Sequence, residues 1–143
     1  MAVQLKTLRR ATYEYVCPVS PVAGAVSVVR RNAAAVLADW NVSAEIVEDA
    51  LLVVSELVTN AIIHACPPAV LRLSWVPCDR ACTLRIEVAD AGPALSVGRC
   101  AGVDPDEHGR GETIVHALAT RDGIRVHPGG VTRWAELVPG QRV

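Results

Sequence analysis

Glu56, Asn60 and His64 recur every four residues, the spacing that stacks side chains on one face of an α-helix. An amide oxygen is a hard ligand suited to Mg²⁺, which keeps several waters and phosphate oxygens around it. A carboxylate one turn away can orient or deprotonate an attacking hydroxyl. Further along, Asp90 ends an alternating segment and is followed by Ala91, Gly92 and Pro93. A carboxylate in that place can accept a hydrogen bond from an exocyclic amine such as that of adenine, and Gly92 lets a flat ring approach the backbone. The third group is His108-Gly109-Arg110-Gly111-Glu112-Thr113, where two glycines can turn backbone N–H groups toward an anion and Arg110 adds a charge. Taken singly, each group has an ordinary structural explanation: a solvated helix face, a turn, a Gly-rich entry to a helix.

Elements must hold these groups in place. Residues Thr7 to Cys17 alternate like an edge strand, with Pro18 and Pro21 bracketing the turn that follows. A first helix is expected from about Val22 to Trp40. The strongest periodicity comes next: after an N-cap at Ser43, the residues Val47, Ala50, Leu51, Val54, Val58, Ala61, Ile62 and Ala65 recur at spacings of three and four. Pro67 and Pro68 stop this long helix. On it, Glu56, Asn60 and His64 form a polar ridge roughly opposite the stripe of Val47, Val54, Val58 and Ala65. Strands are expected at Val70 to Val76 and Thr83 to Ala89, and a short helix at Thr113 to Ala119. A closing hairpin, Gly123 to Val126 and Thr132 to Leu137, turns at Pro128-Gly129-Gly130. Between Gly92 and Gly109 the pattern lapses into a long loop of the kind that usually carries function. This order predicts an α/β two-layer sandwich, with helices on one face of a mixed, mostly antiparallel sheet.

Composition removes several classes of function. With 143 residues, 51% of them apolar and 20% charged, residues 1–143 are expected to form a single domain. Phe is absent, and three Trp and two Tyr are the only aromatics. Ala, Val, Leu and Ile must therefore fill the core, and single-stranded nucleic acid finds few rings to stack on. A formal charge of -1 argues against direct binding of nucleic acid by bulk electrostatics. Lys6 is the single lysine, so no Walker A loop can form, and Ile114 stands where a dinucleotide fingerprint would need another Gly. Five scattered cysteines, Cys17, Cys66, Cys78, Cys82 and Cys100, suit free thiols in a reducing compartment. Cys78 and Cys82 lack the two further ligands that a zinc site requires. Met1 to Val16 shows no export signal, and the apolar runs fall short of the roughly 20 residues that span a bilayer. A cytoplasmic location without membrane attachment is expected.

The order of the three groups carries a resemblance. Glu56-Leu57-Val58-Thr59-Asn60-Ala61-Ile62-Ile63-His64-Ala65, then Val88-Ala89-Asp90-Ala91-Gly92, then Gly109-Arg110-Gly111 resemble the N, G1 and G2 boxes of the histidine-kinase-like (GHKL, Bergerat-fold) ATPases. Within that superfamily, the run Val54 to Asn60 and the ending Gly130 to Leu137 look most like the stand-alone anti-sigma-factor serine/threonine-kinase branch. The resemblance covers about residues 20 to 138. It implies a Bergerat fold with ATP and Mg²⁺ as cofactors. It further implies that Asn60 binds Mg²⁺, that Glu56 is the catalytic base or a water-orienting group, and that Asp90 reads the adenine amine with Gly92 supporting the base. Gly109, Arg110 and Gly111 would hold the triphosphate, His64 would lie near phosphate, and Thr132 would stand close to the adenine end. The loop from Gly92 to Gly109 would be the ATP lid. The implied activity is transfer of the γ-phosphate to a Ser or Thr hydroxyl of a protein partner. A sigma factor or an anti-sigma-factor antagonist is the expected partner; a homodimer is compatible with the resemblance, and the chain itself does not write its oligomeric state. Glu112 stands where the family usually has an apolar residue, and the lid holds only Gly98 and Gly102 between the boxes. These departures permit a second reading, a nucleotide-gated protein that sequesters its partner without transferring phosphate.

Overall fold

The computed structural model describes residues 12–64, 68–77, 82–91 and 113–139. In chain order these form strand β1 (Tyr13–Val19), helix α1 (Ala25–Asp39), helix α2 (Ala44–His64), strands β2 (Ala69–Val76) and β3 (Thr83–Asp90), a short helix α3 at residues 113–118, and strands β4 (Arg121–His127) and β5 (Gly130–Leu137). The sheet runs β1-β2-β3-β5-β4. All four described pairings are antiparallel, so the expected mixed sheet is antiparallel throughout what is described.

Local chemistry sets the helix ends. Asn41 takes a left-handed backbone with φ 60, a conformation its short polar side chain tolerates. Around it, the Val42 N–H donates to the Leu37 carbonyl at 3.1 Å and the Asn41 N–H to that of Ala38 at 3.0 Å. This is a Schellman closure of α1, and Leu37 and Val42 pack together in the core as such closures require. Two residues later Ser43 opens α2: its carbonyl accepts from the Val47 N–H at 2.9 Å, and its hydroxyl from the Ile46 N–H at 3.5 Å.

The sheet buries one face. In β2, Ala69, Leu71, Leu73 and Trp75 are buried, and in β3 so are Leu84, Ile86, Val88 and Asp90, while their neighbours along each strand are more exposed. That period of two turns the first set toward the helices. The largest fully buried side chains are all Leu, Ile or Val, as a sequence without Phe demands. Pro18 lies within β1, paired with Val70, rather than in a turn. A strand at the edge of the sheet accepts a residue that cannot donate to the ladder. No helix among the described residues is long and apolar enough to cross a membrane.

Candidate functional site

Helix α2 carries one wall of the site. Ile46, Val53 and Asn60 follow each other at intervals of seven, so each lies only about 20° around the helix from the one before. All three are buried, at 5%, 0% and 6% exposure. The polar ridge is therefore not opposite the apolar side. Because α2 packs against both α1 and the sheet, its buried arc extends beyond the Val47, Val54 and Val58 stripe and takes in Asn60 at its edge. Glu56, one turn earlier, is half-buried.

Leu57 and Asn60 border an open pocket of about 650 Å³, lined also by Thr113 and His116 of the α3 segment, by Asp122 of β4 and by Arg133 of β5. The volume falls within the roughly 300–1,000 Å³ of small-molecule and cofactor sites. Glu56 is not part of this wall.

The second half of the site lies where β3 ends against the start of β5. Asp90 pairs in register with Val131, and its side chain, 2% exposed, has Oδ2 3.5 Å from Nη1 of Arg133. A buried carboxylate needs such a partner. Gly130 adopts φ +142, and any Cβ there would overlap the Asp90 carbonyl oxygen. The backbone of β5 thus comes as close to the end of β3 as a residue without a side chain allows.

Asn60 and Arg133 therefore share the pocket, while Asp90 does not line it and meets it through Arg133. Thr132 is not brought to Asp90. It pairs with Ala89 and Arg125, which places it on the opposite face of the sheet, where its hydroxyl is 3.0 Å from Nε2 of His127. His64 closes α2, but its side chain lies outside the described residues. Gly92, Gly109, Arg110 and Gly111 lie outside them as well.

Three pocket residues with charged or titratable side chains were not among the candidate site residues of the sequence reading. Arg133 had a signal, because it interrupts the alternating apolar row Val131, Ala135 and Leu137 of a buried strand. His116 and Asp122, whose Nδ1 and Oδ2 are 3.3 Å apart, had none, since their meeting depends on how α3 runs into β4. Among the described residues no cluster of His, Cys, Asp or Glu could hold a metal ion by itself. A cation here would need ligand oxygens in addition to the Asn60 amide.

The donor set fits a nucleotide: a buried carboxylate and a guanidinium at one end, an amide on the pocket wall, and a cleft of sufficient size. The model of the histidine kinase-like ATPase domain matches residues 19–134, and the chain belongs to that family. Its two-layer α/β architecture with a five-stranded antiparallel sheet is that of the family, and membership implies ATP binding. No curated protein matches the chain.

Proposed function

We propose that the chain is an ATP-binding regulatory protein that transfers the γ-phosphate to a Ser or Thr hydroxyl of a protein partner, of the anti-sigma-factor-antagonist kind. The observation that carries the nucleotide reading is the burial of Asn60 in line with Ile46 and Val53 while it borders the pocket. A polar amide in a row of core positions costs stability unless it serves a ligand or finds a partner. When bound, ATP supplies the phosphoryl group and Mg²⁺ neutralises its charge. The chain's own residues then position: Asn60 directs its amide oxygen to the cation, Asp90 accepts the exocyclic amine of the base, and Glu56 orients the attacking hydroxyl. The triphosphate falls to Gly109, Arg110 and Gly111, with His64 beside it.

A second reading has an observation of its own. Glu56 lies off the pocket wall, which suits a protein that uses nucleotide to gate the capture of a sigma factor without transferring phosphate. Calorimetric titration with ATP, ADP and GTP, each with and without Mg²⁺, tests the site. Micromolar, adenine-selective and Mg²⁺-dependent binding supports it, whereas an absence of binding leaves the fold as a scaffold for partner capture. Formation of ADP together with a phosphoserine or phosphothreonine on an added partner protein then separates kinase from gate.

A further inference from the structure

Strand β5 turns Val131, Arg133, Ala135 and Leu137 to the helix side, and the three apolar members of that row are buried. A guanidinium among them is costly unless it serves a purpose. Its Nη1 reaches the Asp90 carboxylate only at 3.5 Å, long for a charge-assisted hydrogen bond. Its Nε is shut off from solvent and has no hydrogen-bond partner among the described residues. An unmade hydrogen bond on a buried donor is a standing penalty, and this one lies on a residue that borders the pocket.

We propose that Arg133 is a specificity-determining residue of the nucleotide site, a donor set beside the Asp90 acceptor so that the pair reads two neighbouring atoms of a purine edge. The inference rests on the ATP-binding reading above. The Asp90 carboxylate accepts the N–H of the exocyclic amine. Arg133 thereby loses part of its hold on that carboxylate and turns an N–H to the ring nitrogen next to the amine, gaining the hydrogen bond that Nε lacks. Arg133 thus holds the buried carboxylate in the free chain and grips the base in the bound one.

The test is calorimetric titration of the full chain with Mg·ATP, 1-deaza-ATP and 7-deaza-ATP, analogues that keep the amine and each lose one ring nitrogen. One of the two is expected to bind about tenfold more weakly than ATP, and the gap is expected to close in Arg133→Met. Arg133→Val, which matches the apolar Val131, Ala135 and Leu137 of the same row and has no N–H to donate, should close the gap too, even if the Met variant fails to fold. Equal binding of ATP and both analogues by the parent overturns the inference and leaves the ATP site standing. A gap that survives in the Arg133 variants also overturns it, by assigning the ring nitrogen to another group. A parent that binds no ATP removes the underlying reading, and this inference with it.

Discussion

Gly130 at the start of β5 lies against the main-chain carbonyl of Asp90 at the end of β3, with no room between them for a methyl group. Backbone conformation and contact act in the same direction, since φ +142 is strained for any L side chain. Gly130→Ala should therefore lower the unfolding free energy by about 2 kcal/mol or more and weaken ATP binding through displacement of Asp90. Gly24, where nothing lies within 4 Å of an added Cβ, is the matched control. Gly24→Ala should stay within about 1 kcal/mol of the parent in urea titrations. Equal stability of the two variants would contradict the close approach at Gly130.

Asn60→Ala should fold, because Ala fits the buried line that Ile46 and Val53 define, but its nucleotide affinity should no longer respond to Mg²⁺. Calorimetry with and without the cation gives the ratio directly. A variant that binds Mg·ATP as tightly as the parent would remove Asn60 from the metal's coordination.

Glu56 is expected to matter for turnover and not for affinity, since it stands half-buried one turn before Asn60 and off the pocket wall. Glu56→Ala should bind ATP within about twofold of the parent and lose ADP formation in the presence of a partner by about 100-fold or more, the usual size of a general-base contribution. Unchanged turnover would assign the base to another group.

On the sheet face away from the helices, Glu136 accepts hydrogen bonds from Arg85 Nη1 and Arg121 Nη2, each at 2.7 Å, and the Arg85 guanidinium lies 4.4 Å from the centroid of the Trp134 ring. Burial pushes the Glu136 carboxyl up, but the hydrogen bonds and charges of Arg121 and Arg85 outweigh it and hold the group below its ordinary value of 4.5. A depressed folded-state pKa means that the stabilisation is fully present above the unfolded value and is lost as pH falls through the folded one. Thermal melts should show the parent losing stability below about pH 4.5 more steeply than Glu136→Gln. At pH 7 that variant should be less stable by about 1 kcal/mol. Parallel pH profiles would show that the two arginines contribute nothing through this carboxylate.

Much of this architecture is legible in the chain because α2 and the central strands repeat their apolar residues over many turns and pleats. Ser43 and the three-and-four spacing after it locate α2, and the alternation of Leu71, Leu73 and Trp75 locates β2. Tertiary packing decided the rest. A four-residue stripe suggests that Asn60 is solvated, yet α2 has neighbours on two sides, and the heptad line Ile46, Val53, Asn60 marks the arc that they bury. Pro18 reads as a turn until its strand is known to be at the sheet edge. Alternation along β5 distinguishes Arg133 on the pocket side from Thr132 on the far side, a distinction that resemblance to the family does not make.

The strand order has a consequence for biosynthesis. β5 is the last described strand to be made, yet it sits between β3 and β4 and brings both Arg133 to Asp90 and the glycine that abuts it. A nascent chain that has emerged only as far as β4 holds the Asn60 helix and the Asp90 carboxylate without Arg133, which borders the pocket and reaches Asp90. Nucleotide capture should therefore begin only once β5 has cleared the ribosome and taken its place between β3 and β4.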